Sequence, residues 1–167
     1  LVHGQHQFHV PLHHVDHRWS GVMVREGLFA LLGIGVSLAH AAPDGPALFA
    51  QHCAACHQAD GQGTVGLAPA LKGPHWQRLG SDRAYLPQVL VHGLSGLIVV
   101  NGERHVGSMP AFGTQLDDDS LAAVANHVQG VVQARTDPAY VAQDMRSARD
   151  AGGSPPKTRE RRALALK

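Results

Sequence analysis

Apolar positions along this chain change their period from segment to segment. Residues 28–39, LFALLGIGVSLA, form one uninterrupted apolar run of 12 residues, too short for a bilayer-spanning helix, which takes about 20. Far downstream, Leu121, Val124, Ala125 and Val128 recur at i, i+3, i+4 and i+7, the spacing of one helix face. This predicts a helix over 116–132, capped by Asp117, with Asp118 and Asp119 at its positive end. Asp44-Gly45-Pro46 predicts another start, an acidic cap with proline in the first turn. Residues 47–58 continue it as a helix, with Leu48, Phe49 and Ala50 early on. Between the two, Tyr85–His92 reads as a short helix that Pro87 either starts or kinks. The β-branched end of GLSGLIVV, residues 93–100, suggests a short extended stretch.

The flanks carry other signals. Ala39-His40-Ala41 behind the apolar run is a small-x-small pattern, so 23–41 reads as a secretory signal peptide cleaved after Ala41. Its charge is weak, since Glu26 offsets Arg25, and a start at Met23 restores a positive end. Residues 1–22 hold six histidines, at 3, 6, 9, 13, 14 and 17. A His-rich tract binds metal in some proteins, which keeps a metal-binding or sensor reading open. Because a signal peptide stands at the N-terminus, the expectation is that 1–22 is upstream sequence absent from the mature protein. At the far end, Asp137-Pro138 starts a helix expected to run to about Arg149, and Gly152-Gly153-Ser154-Pro155-Pro156 breaks order. The basic end, KTRERRALALK, is expected to be disordered, with docking on an acidic partner surface as the alternative. The expected organisation is thus 1–22, 23–41, a domain over 42–135, and a partly disordered tail over 136–167.

Composition changes this picture in one respect. The 167 residues suffice for one domain with extensions. Apolar residues reach 44%, but aromatics only 5%, beside 19 glycines and 10 prolines. That leaves few large side chains for a core, a gap that a bulky apolar cofactor would fill. A formal charge of +1, with no basic stripe interleaved with aromatics, argues against nucleic acid. Two cysteines cannot build the disulfide framework of a small secreted domain.

Both cysteines lie in CAACH, residues 53–57, where three chemistries compete. A redox disulfide would follow a strand in a βαβ pattern, which does not surround it. A structural zinc site needs four ligands, and His75, His92, His105 and His127 are scattered singly. The third is covalent haem attachment through C-x-x-C-H. On one helical turn, Cys53, Cys56 and His57 stand at i, i+3 and i+4 and share a face. Each thiol can then take one vinyl group while the imidazole reaches the iron.

Together with DGQGTVGLAPAL at 60–71, GSMPAFG at 107–113 and the amphipathic helix that follows, residues 44–130 resemble the class I c-type cytochromes, in particular small bacterial single-haem ones. The resemblance implies an all-α, cytochrome c-like fold of three to four short helices around one covalently attached haem c. The last helix would cross the first near Phe49. Pro69 would turn its carbonyl toward His57 and accept a hydrogen bond from the far ring nitrogen, fixing the ring as a ligand. The family draws its second axial ligand from a Met-Pro loop, here Met109. Met109 precedes Pro110 in a Gly-bracketed stretch with no helical face to fill, whereas Met145, in QDMRSARD, reads as a surface or tail residue.

His105 and His92 are the rival ligands, either of which would give a bis-histidine iron. Methionine/histidine ligation raises the reduction potential, and two closed axial positions favour electron transfer over catalysis. No catalytic residue is expected. Leu67, Leu71, Trp76, Leu97 and Ile98 are expected to line the haem, with Trp76 either donating its indole N–H to a propionate or simply packing. With no second C-x-x-C-H, one haem per chain is expected.

The function these expectations describe is a periplasmic single-electron carrier with no stable membrane span after signal cleavage. It would dock transiently on redox proteins such as a dehydrogenase, a reductase or a terminal oxidase. GLSGLIVVNGERHVGSMPAFG also resembles cytochrome domains that accompany periplasmic dehydrogenases, so a cytochrome subunit of such a complex is the alternative. A haem peroxidase with an open sixth position is a third reading, should Met109 not reach the iron.

Overall fold

Asp44 starts the first helix, its carboxylate accepting from the Ala47 N–H at 3.2 Å, with Pro46 in the first turn. The structure, a computed structural model, describes residues 41–167. The His-rich segment 1–22 and the expected signal peptide, up to its last residue, lie outside the described residues. Helix α1, Gly45–His52, ends at Cys53, whose φ of −121° breaks the single helix expected over 47–58. A second short helix, α2, follows at Ala54–His57. The turn survives the break, because the N–H groups of Cys56 and His57 both donate to the Cys53 carbonyl, at 3.2 and 2.9 Å.

Helices α3, His75–Leu79, and α4, Tyr85–His92, come next; α3 was not expected. Pro87 sits within the first turn of α4, where a missing N–H costs little, and it is fully buried. A hairpin then adds a small two-stranded sheet to the mostly helical fold expected. Strand β1, Leu94–Val100, pairs antiparallel with β2, Glu103–Met109, from Leu94↔Met109 to Val100↔Glu103. The expected extended stretch is therefore half of a pair. Its two-residue turn is Asn101-Gly102, both at positive φ, +52° and +85°, the backbone that joins twisted strands most directly.

Helix α5, Asp118–His127, has the expected cap, Asp117 accepting from the Ser120 N–H at 2.8 Å. A wider helical turn, Val128–Val132, extends it. Leu121, Val124 and Ala125 are buried on its inner face, where α1 packs across it through Phe49. The Phe49 and His127 rings lie 5.0 Å apart at this crossing.

The segment 136–167 differs most from expectation. Helix α6 starts at Ala142 rather than near Asp137, because Asn126 holds Tyr140 in an extended stretch. The Asn126 side chain donates to the Tyr140 carbonyl at 2.9 Å and accepts its N–H at 2.7 Å. Met145, expected on the surface, is fully buried among α4, α5 and α6, with Ala148 beside it one turn on. The end expected to be disordered forms helix α7, Pro155–Ala165, packed on β1 and α4. Pro155 and Pro156 occupy its first two positions, where proline suits a helix rather than breaking it.

This end misleads because α7 buries Thr158 and Arg162 rather than an apolar stripe. Polar ties then hold it in place. Arg161 grips Asp82 with two bonds of 2.6 and 2.5 Å, and Arg78 donates to the Leu166 carbonyl at 2.8 Å. Among the described residues, no helix is long and apolar enough to cross a membrane.

Candidate cofactor site

A cleft of about 1200 Å³, counting its open mouth, runs between α1, α2, the loop after them, α4 and the hairpin. Cys53, Cys56, His57, Pro69, Leu71, Trp76 and Met109 all line it, so the expected site residues share one wall system. Leu67 and Ile98 line it as well, whereas Leu97 stands outside, half-exposed on the hairpin.

The loop after α2 folds back on the motif by its own hydrogen bonds. The Gly63 N–H donates to the His57 carbonyl at 2.9 Å, the Thr64 hydroxyl to the Cys56 carbonyl at 2.9 Å, and the Leu71 N–H to the Gly61 carbonyl at 2.8 Å. This folding brings the Pro69 carbonyl to 3.1 Å from Nδ1 of His57. A carbonyl only accepts, so Nδ1 carries the proton and Nε2 keeps its lone pair. Gly63, at φ +77°, makes the approach possible. A Cβ there would lie 2.5 Å from the Ala68 carbonyl oxygen and 2.7 Å from that of Pro69.

Burial lowers the pKa of His57, with the Pro69 hydrogen bond opposing it, so the ring is a neutral imidazole. Burial also pushes the Cys53 thiol up to about 11, and Cys56 beside it adds to the shift. Both cysteines are free thiols, Cys53 buried and Cys56 exposed.

Met109 is the last residue of β2 rather than a loop residue, and Pro110, which cannot donate to a ladder, follows it directly. Its half-buried side chain packs against the core beside the cleft. Gly93, at φ +74°, lets the chain pass closely here, since a Cβ would come within 2.6 Å of the Met109 carbonyl oxygen. Of the rival histidines, His92 is not in the cleft. Its Nε2 lies 2.9 Å from the Ala148 carbonyl. His105 does line the cleft, 3.9 Å from Glu103.

The residues at the cleft that the sequence reading did not place there include His75, Tyr85 and Arg162. Arg162 left no signal, because its basic segment has no apolar period.

Mostly apolar walls, two free thiols, a neutral imidazole with one bare nitrogen, and a thioether make a donor set and a space that fit a haem. Trp76 adds to the fit, because its buried indole N–H has no partner among the described residues.

Residues 40–128 match the family described as cytochrome c oxidase, cbb3-type, subunit III. The chain is 46% identical over 102 residues to a cytochrome c-552 of Thermus thermophilus, covering 60% of this chain and 66% of that relative. It thus spans just under two thirds of that protein's length. A cytochrome c6 of Microcystis aeruginosa is 33% identical over 85 residues, which are 51% of this chain and 90% of the relative. The gluconate 2-dehydrogenase cytochrome c subunit of Pantoea cypripedii is 37% identical over 89 residues, 52% of this chain and 19% of the relative. The chain belongs to the cbb3-type subunit III family of c-type cytochromes, whose haem c is covalently bound.

Proposed function

We propose that this protein is a periplasmic electron carrier that holds one haem through Cys53 and Cys56, with His57 and Met109 as axial ligands. The observation that carries this reading is the single cleft shared by both thiols, the bare Nε2 of His57 and the Met109 thioether. The haem supplies a one-electron ferric/ferrous couple; the rest is done by the chain.

Cys53 and Cys56 would hold the haem covalently through their sulfurs, each S–H taken up across a vinyl group with no net redox change. Burial keeps Cys53 in the thiol form at neutral pH. His57 presents Nε2, and its bond to Pro69 fixes ring and tautomer and makes the nitrogen a stronger donor. Met109 would offer the iron a soft thioether, which favours the ferrous state. The buried walls of α4 and α5 exclude water, while the open mouth leaves an edge for electron exchange.

Export through the 23–41 segment delivers the chain to the periplasm, where redox partners such as a dehydrogenase, reductase or terminal oxidase would meet it. The likeness to a dehydrogenase cytochrome subunit favours a second reading, a permanent place in such a complex. Co-purification with a dehydrogenase at fixed stoichiometry would select it over the free carrier.

Absorption spectra of oxidised and reduced protein, wild type beside Met109→Ala, test the ligand set. The expected wild type is low-spin with a weak thioether–iron band, and the band is absent from the variant. A spectrum indifferent to the substitution moves the sixth ligand to His105. A high-spin wild type reopens the peroxidase reading, and the absence of covalent haem removes the proposal altogether.

A further inference from the structure

The two edges of the hairpin differ. Across its two-residue turn, Val100↔Glu103 is the closing hydrogen-bonded pair, and such pairs alternate along an antiparallel ladder. Leu97 and Val99 therefore turn their N–H and C=O groups away from β2, and Arg104, Val106 and Ser108 turn theirs away from β1. On the β1 side α7 covers the edge, where Arg162 donates to the Val99 carbonyl at 3.2 Å. On the β2 side, among the described residues, no main-chain hydrogen bond reaches Arg104, Val106 or Ser108.

Little blunts this open edge. Strand β2 has no proline, five of its seven residues are exposed, and its one acid and one arginine, Glu103 and Arg104, both sit at the turn end. An exposed edge of this kind is a template for another strand. The outer face beside it is apolar, with Leu97, Val99 and Val106 exposed to 39%, 54% and 77%. Leu97 and Val106 stand directly opposite each other there. The inner face, through His105, Gly107 and Met109, lines the cofactor cleft.

We propose that β2 pairs antiparallel with β2 of a second copy, about a two-fold axis at Val106, joining two hairpins into one four-stranded sheet. A symmetric pair needs a self-complementary strand, and this register supplies one. Val106 meets Val106 of the partner subunit, Arg104 faces Ser108 of the partner subunit, and no like charges stand opposite each other. An axis at Arg104 would instead set two guanidinium groups face to face. Leu97 and Val106 of both copies form one apolar stripe across the joined outer face. Long-range repulsion is small, because the formal charge is only +1. Cross-strand neighbours point to the same side of a sheet, so both cofactor clefts lie on its inner side and an electron can pass from copy to copy. That path rests on the electron carriage proposed above, whereas the pairing does not.

The test is sedimentation of the holoprotein from micromolar to millimolar concentration, with amide hydrogen exchange at both ends of the range. The wild type is expected to pass from monomer to dimer. The Arg104, Val106 and Ser108 amides then exchange more slowly, while those of Leu97 and Val99, on the α7 side, are unchanged. Val106→Lys puts two like charges on the axis and keeps the protein monomeric, with the denaturation midpoint of the wild type. Ser108→Asp faces Arg104 of the partner subunit and tightens the dimer several-fold. Should the lysine variant not accumulate, Ser108→Asp and the wild type decide.

A monomer at every concentration overturns the pairing, as does a dimer indifferent to both substitutions. A dimer without the amide protection assigns association to the outer face and also overturns it. Protection that appears only on adding a redox protein gives the edge to that protein instead. An electron self-exchange rate equal in wild type and Val106→Lys overturns the path between copies and leaves the pairing standing. A chain without covalent haem overturns the carrier and the path together, and sedimentation still decides the pairing.

Discussion

Gly63 shows how one residue can decide the chemistry of another. Its N–H holds the His57 carbonyl, and its lack of a Cβ lets the Pro69 carbonyl sit close enough to accept from the ring. Gly63→Ala adds both a left-handed backbone penalty and a contact with two carbonyl oxygens, together costing about 2 kcal/mol or more. The expected outcome is a lowered denaturation midpoint, together with a shifted proton resonance of the His57 ring N–H. A variant with wild-type stability and an unmoved resonance would show that the loop can reach Pro69 another way. The loop's glycines and Pro69 were legible in the sequence through the family resemblance. That Met109 ends a strand was not, because its flanking glycines suggested a loop and the pairing partner is 15 residues away.

At the scale of elements, the strongest sequence signals were local ones: the Asp44 and Asp117 caps and the helical period of α5. The hairpin had a signal too, Asn101-Gly102, but the polar and glycine-rich β2 lacked an alternating apolar face to confirm it. Helix α6 adds a pH dependence. Burial alone would raise the pKa of Asp144, but the Arg83 guanidinium, 2.8 Å away, and the Val141 N–H together outweigh it and hold the carboxyl below its ordinary value of 3.8. A folded-state pKa below the unfolded one means stability that is full above the unfolded value and is lost as pH falls through the folded one. Below pH 3.8, therefore, the wild type should lose stability more steeply than Asp144→Asn. Urea midpoints measured from pH 6 down to 2 check this, and parallel profiles would assign the acid sensitivity elsewhere.

For the whole molecule, the decisive feature is that 136–167 belongs to the core. Met145 is fully buried between helices from distant parts of the chain, and Arg149 donates to the Gly113 and Leu116 carbonyls and to Asp118, tying α6 to the stretch after Met109. Met145→Ala is expected to destabilise the holoprotein by about 2–5 kcal/mol, the usual cost of emptying a buried site of that size. Chemical denaturation measures it, and a change near zero would return this segment to the status of a tail. The same contacts make the site more than the family-matched stretch. The cleft draws Cys53 from one end of the described chain and Arg162 from the other.

The sequence by itself determined what depends on neighbouring residues: the C-x-x-C-H grip on one turn, the caps, the amphipathic period of α5, and hence the cytochrome family. Tertiary structure decided what depends on distant ones. It paired β1 with β2, buried a methionine that a polar segment disguised, and ordered α7 on charge pairs and carbonyls with no apolar stripe to announce it. Local patterns record propensity and burial on one's own element, whereas a buried arginine is specified only by what lies across the cleft from it.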